Sequence, residues 1–116
     1  MQFNNPYLEN VERIELLQRW IIVHSLIYYE MDKNVVSDLM FDNNCKQLVE
    51  MKNKYKKSYK NSFYYPIMKD FDGSTGFHLS GNLKRWDEEH HEYLSIIATH
   101  VIRLSEGKND KSKNKK

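Results

Sequence analysis

The sequence predicts a mainly α-helical fold: a small domain of three principal helices, with an ordered loop that has room for short strands between the second and the third. Three observations carry this. Apolar residues recur at three- and four-residue steps in three separate stretches. A length of 116 residues with 40% hydrophobic and 29% charged composition suits one globular domain. Between residues 57 and 81 the helical spacing gives way to turn formers and a proline.

The first helix is expected from Val11 to Met31, where Ile14, Leu17, Ile21, Ser25, Tyr28 and Met31 form one buried stripe. Asn10 is the expected N-cap, with Glu12 and Glu15 adding favourable charge near the start. Trp20, Ile22 and Ile27 flank the stripe, so more than one side should be covered and the helix should run through the centre. Asp32-Lys33-Asn34 breaks the pattern, and Ser37 offers a hydroxyl cap for the second helix. Val36 before the cap and Phe41 after it sit where a hydrophobic staple would place them. Phe41, Cys45, Leu48, Met51 and Tyr55 then continue the apolar face, and the helix should end near Tyr55 or Lys57.

Phe63-Tyr64-Tyr65-Pro66-Ile67-Met68 and the turn-rich Asp70-Phe71-Asp72-Gly73-Ser74-Thr75-Gly76 form the ordered loop. Pro66 disfavours a central strand there. Leu83, Trp86, His90, Tyr93, Ile97, Val101 and Leu104 give the third helix its stripe, with Asp87, Glu88 and Glu89 in the opening turns and Gly107 as terminator. The helical domain thus spans residues 1–107, and residues 108–116 read as a disordered basic tail.

Composition excludes several classes of function. Cys45 is the one cysteine, so no internal disulfide and no thiolate metal cage can form. The longest apolar run, Trp20 to Val23, falls far short of the roughly 20 residues of a membrane span, so no membrane partner is expected. The N-terminal MQFNNPYLEN lacks a basic start followed by an apolar segment, and a cytoplasmic location is expected. The last nine residues hold +4 of the overall +2, which leaves the body at −2. Within that body Lys52, Lys54, Lys56, Lys57 and Lys60 interleave with Tyr55 and Tyr59, a pattern able to neutralise phosphates and stack on bases.

The segment His24 to Asp42 reads H-x3-Y-Y-x2-D-x3-V-S-D-x2-F-D. It resembles the small N-terminal domain, called Ia, of NAD-dependent DNA ligases. The resemblance is ungapped over about Leu16 to Met51. In that family the domain is a helical unit that grips the nicotinamide mononucleotide (NMN) half of NAD, while an adjoining domain performs self-adenylation. The resemblance implies that Tyr28 and Tyr29 take the positions of the family's aromatic pair. Asp38, Phe41 and Asp42 take those of its Asp, Tyr and Asp. The chemistry suits the ligand, because a cationic nicotinamide ring is attracted to aromatic faces and carboxylates accept bonds from ribose hydroxyls. Asp38 and Asp42, four apart, share one helix face. Two positions depart from the family: Phe41 lacks the usual tyrosine hydroxyl, and Asn34 replaces the usual proline.

The K-x-D-G nucleophile motif of the ligases is absent. Lys69-Asp70-Phe71-Asp72-Gly73 is K-x-x-D-G, with the lysine out of register, and Lys69 reads as non-catalytic. Asp70-Phe71-Asp72-Gly73-Ser74-Thr75 resembles the D-x-D-G-T motif of haloacid-dehalogenase-like phosphatases, but no α/β context surrounds it, and turn acids bonding nearby amides are expected instead. His24, His78, His90, His91 and His100 show no ligand spacing for a metal.

No enzyme is expected, and no cofactor is required. The favoured expectation is a small binding protein on a ligase Ia-like scaffold, a phage-type accessory or inhibitory protein whose partner is another protein. One alternative is an NAD- or NMN-binding module that completes an adenylating ligase in trans. A second is a weak, sequence-independent nucleic-acid binder.

Overall fold

The structure, a computed structural model, describes the backbone of residues 6–114 and the side-chain surroundings of residues 8–107. The described residues are mainly helical. In chain order α1 is Pro6–Ser25, α2 Asp38–Lys54, α3 Lys56–Lys60, α4 Tyr65–Met68, α5 Leu79–Trp86 and α6 Glu88–Asn114. A π-helical turn, Leu26–Glu30, is fused to the end of α1.

Helix α1 runs through the centre, touching α2, α3, α5 and α6. The apolar spacing explains this: Ile14, Ile21 and Ile22 are fully buried, and the neighbouring faces supply Leu48, Leu83, Leu94 and Ala98, likewise fully buried. Each such aliphatic side chain contributes about 1.5–3 kcal/mol by leaving water. The chain is already helical at Pro6, the first described residue, rather than starting at an Asn10 cap. Asn10 therefore lies inside the helix.

At the other end, Ser25 Oγ donates back to the Ile21 carbonyl at 2.7 Å, an i−4 bond that loosens the ladder. The next turn widens, with the Met31 amide donating to Leu26 O at 3.1 Å. That takes Tyr28 off the buried stripe on which the spacing had placed it and leaves it 51% exposed. Asp32 then adopts φ +53°, a left-handed conformation that aspartate tolerates better than most residues, and the helix stops.

Ser37 caps α2 as the sequence predicts, its Oγ accepting from the Met40 amide at 3.1 Å. The expected apolar face follows, with Cys45, Leu48 and Met51 buried, and the helix closes at Tyr55.

The segment expected to be an ordered loop with possible strands holds two short helices, α3 and α4, followed by the non-helical turns of residues 69–78, and no strand occurs among the described residues. Pro66 sits in the first turn of α4, where its missing N–H costs nothing. Two side chains tie these pieces down. Tyr59 Oη donates to Met68 O at 2.6 Å, and Lys52 Nζ donates to Lys69 O and Phe71 O at 2.6 and 3.0 Å.

The third predicted helix is in fact two. Asp87 is extended (φ −160°, ψ 101°), and its Oδ1 accepts from the His90 amide at 3.1 Å, capping a new helix. Leu83 and Trp86 therefore belong to α5. In α6 the buried residues are Leu94 and Ala98, while Tyr93 and Leu104 of the expected stripe are 51% and 73% exposed. The apolar spacing fitted two neighbouring stripes, and contact with α1 and α5 selects one of them. Gly107 does not end this helix; α6 continues through it to Asn114. A helical glycine costs only about 1 kcal/mol relative to alanine. The expected disordered tail is thus helical over 108–114, and 115–116 lie outside the described residues. No helix among the described residues is long and apolar enough to cross a membrane.

Candidate functional site

A cleft of about 310 Å³ opens where the π-helical turn, the segment leading into α2, the start of α2 and the 74–75 loop meet. Tyr28, Tyr29, Asp38, Phe41 and Asp42, the five residues singled out by the sequence pattern, all line it. The capped start of α2 brings Asp38, Phe41 and Asp42 to one wall, since residues three and four apart share a helix face. The widened turn supplies the aromatic pair, whose rings meet edge to face at 4.8 Å.

The opposite wall is not legible in the 24–42 segment. Thr75 Oγ1 lies 3.1 Å from Tyr29 Oη and also accepts from the Phe77 amide at 3.1 Å. Asp72 accepts from the Ser74 hydroxyl and amide at 2.6 and 2.9 Å. These Ser74 bonds hold the exposed Asp72 carboxyl below its ordinary range. Asp72 thus bonds nearby groups as expected of a specific loop conformation. Gly73 at φ +84° makes the turn possible. Gly76 then packs against Ser25 and Phe41 so closely that a Cβ would collide with Ser25 Oγ.

The chemistry of the cleft is aromatic and acidic, with one cation. His24 also lines it, its ring tilted against Trp20 with centroids 4.2 Å apart, and burial lowers its pKa below the ordinary histidine value. Lys33 supplies the single lysine or arginine on the lining, facing a site that also holds the Asp38 and Asp42 carboxylates. Two carboxylates that accept hydrogen bonds and three aromatic rings make the lining acidic and π-rich, a surface that attracts cations. The volume is at the lower end of the range typical of small-molecule sites, roughly 300–1,000 Å³.

Sequence reasoning missed Lys33, Asn34, Ser74 and Thr75 as lining residues. Lys33 and Asn34 lie inside the quoted segment and carried a signal by position; Ser74 and Thr75 arrive through the tertiary fold alone.

The lysine and tyrosine run of residues 52–60 lies apart from this cleft. Lys52 is committed to two backbone carbonyls, and Lys54 Nζ sits 5.4 Å over the Tyr55 ring. Tyr59 is buried and unavailable for stacking, so Lys56, Lys57 and Lys60 stand exposed without the interleaved aromatic. Burial pushes the Cys45 thiol up to about 11, aided by the Asp42 carboxylate. The histidines are dispersed: His90 pairs with Tyr64 Oη at 2.8 Å and His91 with Glu30 at 3.0 Å. Among the described residues no three His, Cys, Asp or Glu side chains are grouped to hold a metal.

No family model, curated protein or solved structure matches the chain.

Proposed function

We propose that this chain is a non-catalytic binding module whose cleft takes the nicotinamide-ribose half of an oxidised nicotinamide nucleotide, NMN or NAD. The observation that supports this reading is convergence. Five residues picked from a linear pattern, on two different elements, line one cleft of about 310 Å³. In this reading the positive ring lies against Tyr28, Tyr29 and Phe41, and Asp38 and Asp42 balance its charge and accept from the ribose hydroxyls.

A second reading, contact with another protein, is supported by Leu39 and Met40. These residues are 70% and 50% exposed immediately beside Asp38. The two readings combine if the far half of a bound dinucleotide projects toward an adenylating protein that docks on this rim. Catalysis then belongs to the partner, since Lys69 stands one residue out of the nucleophile register and its own carbonyl accepts from Lys52.

Titration of the labelled protein with NMN, followed by NMR, tests the reading. Resonances of Tyr28, Tyr29, Asp38 and Thr75 should move together. If none of them shifts at millimolar NMN, the binding reading is wrong.

A further inference from the structure

We infer that Lys33 is the residue that selects a phosphorylated ligand, so that the cleft distinguishes NMN from nicotinamide riboside. The inference rests on the proposed nicotinamide site and deepens it.

Charge at the cleft is divided unequally. Asp38 and Asp42 both line it, and burial lowers the pKa of His24, so a phosphate carrying about −1.5 to −2 charges would be repelled by the acidic side of the lining. Among the described lining residues Lys33 is the lysine or arginine that can meet that charge. It leads into α2 from the left-handed Asp32, with its amide bonded to Ile27 O at 3.0 Å, so its backbone is fixed while its side chain is not. Among the described residues the Lys33 ammonium is held by Glu106 Oε2 at 3.4 Å, with both side chains more than half exposed. An exposed pair of this kind is worth about 0–1 kcal/mol and is readily exchanged.

The Glu106 carboxylate is a competitor as well as a partner. It occupies on Lys33 the place that a ligand phosphate would take, and a dianionic phosphate displaces a lone carboxylate because it offers more charge and more acceptors. The bound ligand would then be oriented, with its ring against the acids and rings and its phosphate at Lys33. The same charge division makes Glu106, on the distant α6, a brake on phosphate binding.

The experiment is a set of titrations with NMN and with nicotinamide riboside on the full chain, at low salt and at 0.5 M salt. Wild type should bind NMN about three- to tenfold more tightly than the riboside at low salt, and the preference should shrink at high salt. Lys33→Gln should erase the preference, Lys33→Arg should keep it, and Glu106→Gln should widen it. Equal binding of the two ligands by wild type, or a preference that survives Lys33→Gln, overturns the role of Lys33 and leaves the nicotinamide site standing. Absence of binding by both ligands overturns the site itself and this inference with it.

Discussion

Tyr29 Oη and Thr75 Oγ1 meet at 3.1 Å across 46 residues of sequence, and that contact joins the aromatic turn to the loop forming the far wall of the cleft. The Thr75 hydroxyl also accepts from the Phe77 amide, so one side chain fixes both the ring and the loop. Thr75→Val keeps the shape and removes both bonds. Because the Tyr29 contact is exposed, stability should fall only about 0.5–1.5 kcal/mol in urea unfolding. NMN affinity should fall severalfold, and hydrogen exchange at the Phe77 amide should quicken.

Asp38 and Asp42 should matter to charge recognition far more than to folding. Asp38 opens α2, where its charge favours the helix dipole by roughly 0.3–1 kcal/mol. Asp38→Asn and Asp42→Asn should therefore melt close to wild type. Wild type should prefer oxidised NMN over its reduced, uncharged-ring form, and the double variant should lose most of that preference. Isothermal titration with both redox forms measures it.

Gly76 is required for close approach rather than for its own φ. Alanine there drives a methyl group into Ser25 Oγ, whose position is fixed by its bond to Ile21 O. Overpacking of this kind costs about 1–3 kcal/mol. Gly76→Ala should lower the urea midpoint accordingly, and adding Ser25→Ala should restore part of the loss.

Burial of His24 gives a pH dependence with a definite sign. Its folded pKa lies below its unfolded value of about 6.5, so below that pH the unfolded chain binds the proton and the folded chain does not. The His24 contribution is intact above pH 6.5, declines as the pH falls through that value, and stops declining once the folded histidine protonates as well. Denaturant unfolding from pH 7.5 to 5 should show this loss in wild type. In His24→Gln the same curve should be flatter, with the other histidines unchanged.

Lys52 was a candidate for phosphate contact by sequence and is a structural tie in the fold. Lys52→Met removes two charge-assisted bonds to the Lys69 and Phe71 carbonyls and should cost about 1.5–3 kcal/mol. Lys57→Met, on an exposed position of α3, should stay within about 0.5 kcal/mol of wild type. Thermal melts of the two variants side by side separate the roles.

Helical class, the central position of α1, the Ser37 cap and the apolar face of α2 were legible because each follows from short-range spacing and local hydrogen bonding. Breaks inside helical patterns were not. Asp87 looked like an acid in an opening turn, yet its side chain ends one helix and starts another. Gly107 looked like a terminator, yet nothing at that position forces the chain out of helix. Tyr28 fitted a buried stripe until the π-helical turn displaced it, and that turn has no signature in residue spacing.

By itself the sequence singled out Tyr28, Tyr29, Asp38, Phe41 and Asp42 as candidates, because they lie within fifteen residues and their types and order are local facts. Only the tertiary structure decided that they face one another. It closed the cleft with Ser74 and Thr75, paired Lys33 with Glu106, tied Lys52 to backbone carbonyls and buried Tyr59. The reason is physical: a wall built from two distant segments depends on how the core lets α1, α2 and the 72–77 turn approach, and that packing is a property of the folded whole.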